Sequence, residues 1–192
     1  VTHPAWFDAY APLVGLRANL VVDLAGNTSL NSDSITSVID RALLKHIRSV
    51  SDLIVTTGAT FRAEKLKPSR LAPMLVISRD GVPNLDKPLA DDVLPIFVRS
   101  GVNALQITQK FMAEHGFTSA VIECGPTVTG TFASLGAIDE FCLTVNHGAA
   151  GAASKEHVIR LLENLGFVPG EPVMHFQDST HSYWTALKKE SN

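Results

Sequence analysis

Residues 120–145, AVIECGPTVTGTFASLGAIDEFCLTV, decide the fold. An apolar run stops at a carboxylate, Glu123, and Gly125-Pro126 then punctuates the chain. Thr127 is placed to open a helix of small residues, and an acidic pair, Asp139-Glu140, leads into a second apolar run. Strand, glycine turn and helix start, in that order, form a common anion site, because free backbone N–H groups and the helix dipole face the ligand. A carboxylate ending an apolar strand costs desolvation free energy unless it is paired. Glu123 therefore reads either as a structural cap or as a site carboxylate, and the cost favours the site. The stretch lacks the lysine of a P-loop, which excludes that class of ATPase.

Working outward, the same alternation fills the chain. RANLVVDLAG (17–26) reads as a first strand and SITSVIDRALLKHIRSVS (34–51) as a helix capped by Ser34 or Ser37. DLIVTTG (52–58), APMLVISRDG (72–81, closed by Asp80-Gly81) and LPIFVRSG (94–101) read as three more strands. NALQITQKFMAEHG (103–116) is a helix stopped by Gly116, followed by a strand over 117–125 and a helix over 125–136. A sixth strand covers 139–147, and a small-residue loop, GAAGAAS (148–154), precedes a short helix over 155–166. Two antiparallel strands, VMHFQDS and HSYWTAL, meet across an Asp-Ser-Thr turn. Strands alternating with helices predict an α/β fold: a mostly parallel central sheet flanked by helices, with a C-terminal antiparallel hairpin. No repeat or long linker divides the 192 residues, so one domain is expected over 1–192.

Composition narrows function. A net charge of −3 gives no basic excess for nucleic acid. The N-terminus has no basic segment leading into an apolar core, and the apolar stretch of residues 13–24 is broken by Arg17, Asn19 and Asp23. A cytoplasmic location is expected. Two cysteines, Cys124 and Cys142, in apolar surroundings suit reduced, buried thiols. The seven histidines show no close ligand spacing, so no metal is expected.

In parallel sheets, ligands sit beyond the carboxyl ends of the strands. In GATFRAE (58–64), Gly58 and Ala59 permit close backbone approach, Thr60 offers a hydroxyl and Arg62 a planar charge suited to phosphate. An ordinary turn with an exposed arginine is the alternative. Ser78 and Arg79 end the third strand, where they suit the 2′-phosphate of NADP or form a solvated loop. Asn19 and Asp23 share one face of the first strand by parity.

With these residues in place, the sequence resembles the dihydrofolate-reductase-like reductases related to the C-terminal domain of the bifunctional deaminase-reductase of riboflavin biosynthesis, the pyrimidine reductase family. The resemblance runs from about Arg17 to Val145. RANLVVDLAGNTS is similar to that family's Asn-x-x-x-Ser-x-Asp-Gly strand. DRALLKHIRSVSDLIVTTGATFRAEKL is similar to its arginine helix, strand and Gly-Ala-Gly-Thr-x-Arg-Ala-Glu loop. APMLVISR resembles its third strand, and VIECGPTVTGTFASLGAIDEFCLTV its Glu-Gly-Gly-Pro loop with the Leu-x-Asp-Glu strand.

The resemblance implies a dihydrofolate-reductase-like fold, NADPH as cofactor, and hydride transfer to the ribosyl carbonyl or imine of a phosphorylated ribosylaminopyrimidine. It implies that Gly58, Ala59, Thr60, Cys124, Gly125, Pro126, Thr127 and Val128 line the dinucleotide, with Ser78 and Arg79 near its 2′-phosphate. Glu123 and Asp23 are the implied catalytic carboxylates, acting through a raised carboxyl pKa. Asn19, Arg62 and Glu123 are the implied substrate contacts, and Arg17, Arg41 and Lys65 are candidates for a substrate phosphate. A homodimer through sheet edges is also implied. The sequence departs from the pattern at Ala25 (Asp in the family), Thr57 and Ala59 (both Gly) and Cys124 (the first Gly of Gly-Gly, where the family fold can hold a cis peptide). The departures keep two alternatives open: a non-catalytic binding module on the same fold, and a reductase of another small carbonyl substrate.

Overall fold

The structure, a computed structural model, describes residues 3–28, 35–79 and 92–190. Asp80-Gly81 and Ser34 lie outside the described residues. Strand β1 (Gly15–Asp23) leads to helix α1 (Val38–Ser49), then β2 (Leu53–Thr57), a short helix α2 (Gly58–Ala63), β3 (Met74–Ile77) and β4 (Ile96–Arg99). Helix α3 (Ala104–His115), β5 (Ser119–Ile122), α4 (Pro126–Ser134), β6 (Glu140–Asn146), α5 (Lys155–Asn164), β7 (Val173–Gln177) and β8 (His181–Leu187) follow.

Local chemistry sets the boundaries. Ser37 caps α1 by accepting from Asp40 N, and Asn103 caps α3 by accepting from Gln106 N. Gly116 ends α3 in the left-handed region, φ 69°, which a side chain resists. Pro126 opens α4 at a position where no amide hydrogen is needed.

Among the described residues, eight strands form one sheet in the order β4-β3-β2-β5-β1-β6-β8-β7. All neighbouring pairs from β4 to β6 are parallel. Strand β8 pairs antiparallel with both β6 and β7. The expected hairpin is present, but its second strand slots between β6 and β7, so β8 alone runs against the sheet and β7 forms the edge. This is an α/β fold with a C-terminal antiparallel strand pair.

The chain steps one way along the sheet from β1 to β2 with α1 on one face. It steps the other way from β4 to β5 to β6 with α3 and α4 on the opposite face, as crossovers of one hand require. Two cores result. On one face Leu16, Ala18, Leu20 and Val22 of β1 meet Phe111, Phe132 and Leu161 of α3, α4 and α5. On the other, Ile54, Val76 and Val121 meet Leu43 and Ile47 of α1 and the N-terminal 3-10 turn Ala5–Tyr10 through Phe7 and Tyr10. Arg17 lies buried on this second face, ion-paired to Glu140 and bonded to Ala11 O at 2.7 Å. No helix among the described residues is long and apolar enough to cross a membrane.

Candidate active site

A cleft of about 340 Å³ opens beyond the carboxyl ends of β2, β3 and β4, at the lower end of the range for small-molecule sites. Thr57, Gly58, Ala59 and Arg62 form one wall, Ile77, Ser78 and Arg79 the floor, and Gly101, Val102, Ala104 and Val128 the other wall. Gly58, Ala59, Arg62, Ser78, Arg79 and Val128 were all expected at the site, and the fold brings them to one place. The close approach of α2 to β3 needs a glycine: a Cβ on Gly58 would meet Ser78 Oγ at 2.5 Å and Ser78 Cβ at 2.7 Å. Ser78 is buried, and its N–H donates to Arg99 O at 3.0 Å, which fixes the floor.

Beside the cleft, α2 and α4 begin close together. Thr57 caps α2, its Oγ1 accepting from Thr60 N at 3.2 Å. Thr60 Oγ1 accepts from Gly125 N at 3.2 Å. Thr60 and Gly125 thus join the two helix starts and do not line the cleft themselves. Pro126 and Thr127 face a second, shallower groove toward Leu165 and Gly166. Cys124 turns into the core, 1% exposed, with Sγ 3.7 Å from Val55 O. Burial, followed by the Glu123 charge, pushes its thiol well up, so it stays neutral. The expectation that Cys124 lines the cofactor is thereby corrected for its side chain: strand parity aims it at the α4 face. All peptide bonds among the described residues are trans, including Cys124–Gly125.

The expected carboxylates stand apart from this cleft. Glu123 points to the α1 face and is gripped by Arg48, with Nε donating to Oε1 at 2.8 Å and Nη2 to Oε2. Thr56 Oγ1 donates to Glu123 O at 2.9 Å, so both the backbone and the carboxylate are held. Asp23 folds back on its own turn, accepting from Ala25 N at 2.9 Å and Asn27 N at 2.8 Å. Slight burial raises its carboxyl, but hydrogen bonds from Asn27, Ala25 and Gly26 outweigh this and hold it below the usual value. The raised pKa expected of Asp23 is therefore corrected. Asn19 is half-buried on β1, opposite Cys142 of β6.

Sequence reasoning missed several residues. Gly101, Val102 and Ala104 follow the end of β4, where Gly101 marks a turn as glycines do at the other strand ends. Arg48 gave no signal, since its partner is 75 residues away. Asp40, in the first turn of α1, drew no attention in the sequence and is 4% exposed. Burial raises its carboxyl above the usual value, against a hydrogen bond from Thr144 and the charges of His181 and Arg41. No group of three or more His, Cys, Asp or Glu side chains among the described residues is placed to hold a metal ion.

The cleft suits a phosphorylated nucleotide: two guanidinium groups, Arg62 and Arg79, and the hydroxyl-bearing Thr57 line it. No family model and no curated protein matches the sequence. Solved structures do match its shape. A pyrimidine reductase-like protein from Corynebacterium diphtheriae superposes with a TM-score of 0.66 at 16% identity, over 93% of each chain. RibD of Acinetobacter baumannii matches with a TM-score of 0.66 at 16% identity, over 94% of this chain and 59% of that one. Dihydrofolate reductase from Enterococcus faecalis, complexed with NADP(H), matches with a TM-score of 0.51 at 17% identity, over 92% of this chain and 97% of that one. The chain has the dihydrofolate-reductase-like α/β fold.

Proposed function

We propose that the chain is an NADPH-dependent reductase that transfers hydride to the ribosyl carbonyl or imine of a phosphorylated ribosylaminopyrimidine. The observation that carries this reading is the convergence of Gly58, Arg62, Ser78 and Arg79 on one cleft at the strand ends. The likeness in shape to a pyrimidine reductase-like protein and to RibD supports it.

NADPH supplies the hydride when bound. The chain's own residues bind and orient. Ser78 and Arg79 meet the 2′-phosphate, Gly58 and Ala59 allow close approach of the remaining phosphates, and Val128 closes the wall. Glu123, gripped by Arg48, accepts a hydrogen bond from the substrate and keeps its orientation. A cytoplasmic homodimer acting on a small phosphorylated substrate completes the reading.

The test is loss of the reduced nicotinamide's absorbance when NADPH and the ribosylaminopyrimidine are mixed with the protein. Turnover supports the proposal, and NADPH binding without turnover on this or other small carbonyl substrates overturns it. One observation favours a second reading, a nucleotide-binding module without catalysis: Arg48 donates to both oxygens of Glu123, which does not line the cleft. Binding without turnover is the result that reading requires.

A further inference from the structure

Thr57 and Thr60 together hold one hydroxyl hydrogen more than their mutual bonds use. Thr57 Oγ1 accepts from Thr60 N at 3.2 Å, the two hydroxyl oxygens lie 3.0 Å apart, and Thr60 Oγ1 accepts from Gly125 N at 3.2 Å. Each hydroxyl has one hydrogen to give. One hydrogen bridges the pair, and the other is left over. Thr57 lines the cleft beside Arg62, Ser78 and Arg79.

Building on the nucleotide reading above, we infer that Thr57 is an anion-binding residue of the cleft, its hydroxyl donating to a phosphate oxygen at the end of a relay from Gly125 N–H through Thr60. In that order every hydroxyl accepts from one side and donates to the other, an arrangement in which each bond polarises the next. The relay also answers a difficulty at α4. The Gly125 amide, at the start of that helix, is already taken by Thr60 and is closed to a ligand. The hydroxyl pair returns its donor capacity to the cleft one residue outward. Thr57 stands where the resembled pattern has glycine, so the relay belongs to this chain and the contact is made by a side chain instead of by close backbone approach.

The experiment is calorimetric titration of NADP+ against the wild-type chain, Thr57→Val, Thr57→Ser and Thr57→Asp, with the melting midpoint measured for each. Valine removes the donor and is expected to weaken NADP+ by about tenfold or more, the size of a hydrogen bond to a charged group. Serine keeps the hydroxyl and is expected to bind within about twofold of wild type. Aspartate caps α2 as well as threonine does, so it preserves the fold, but it faces phosphate with a negative charge and is expected to abolish binding. This variant separates the donor from the cap and stands even if Thr57→Val does not fold. Wild-type affinity in Thr57→Asp or in folded Thr57→Val overturns the inference while leaving the nucleotide site intact. A wild-type chain that binds no NADP+ overturns the nucleotide reading itself, and this inference with it.

Discussion

Gly58→Ala tests the geometry of the cleft floor. The new methyl carbon would stand 2.5 Å from Ser78 Oγ, 2.7 Å from Ser78 Cβ and 3.3 Å from Arg62 Nη1. The Arg62 end can move, but Ser78 Cβ cannot, because its backbone is tied to Arg99 O. Overpacking of this kind costs about 1–3 kcal/mol. Gly58 does not have positive φ, so alanine is conformationally allowed there and regains roughly 0.5–1 kcal/mol through the unfolded chain. The clash outweighs the gain, and a net loss of up to about 2.5 kcal/mol is expected. Urea unfolding of Gly58→Ala, Ser78→Ala, Ser78→Gly and the two double variants measures it. Ser78→Ala keeps the Cβ contact and should not rescue Gly58→Ala, whereas Ser78→Gly removes both contact atoms and should. A Gly58→Ala variant more stable than wild type, or a Gly58→Ala/Ser78→Gly coupling below about 0.5 kcal/mol, would refute the reasoning.

Three other outcomes are expected. Glu123→Gln should lower turnover more than it weakens NADPH binding, read from kcat and the cofactor Kd; equal losses would mark Glu123 as purely structural. Asp40 has a raised carboxyl, so its ionised form is disfavoured in the fold, and wild-type stability should decline as pH rises from the ordinary value of 3.8 through the raised one. Asp40→Asn should flatten that decline in urea titrations across pH; parallel stability profiles would contradict it. Arg79→Ala should collapse the preference for NADP+ over NAD+ by about tenfold or more, the size of a lost charge-assisted bond, with binding of NAD+ little changed; an unchanged ratio would remove Arg79 from the 2′-phosphate.

The strands were legible because each buried run is short, apolar and bounded by glycine, proline or a polar pair. Helices α1 and α3 were legible from their periodicity and caps. Helix α2 was not, since six residues, GATFRA, are too few to show a period. The N-terminal turn AWFDAY was silent for the same reason. The place of β8 between β6 and β7 depends on pairing across the sheet, which alternation within a strand does not encode. At the site, Gly58, Ser78 and Arg79 could be found because strand ends in a parallel sheet converge on one edge. The pairing of Glu123 with Arg48, the inward turn of Cys124 and the burial of Asp40 were hidden because each depends on which face a helix from a distant segment covers.

The most direct measurement is a titration of the purified chain with NADPH, NADP+ and NADH, followed by fluorescence quenching or calorimetry. Micromolar binding of NADPH and NADP+, clearly tighter than NADH, is the result predicted by the cleft of Gly58, Arg62, Ser78 and Arg79. No binding of any of the three would contradict it.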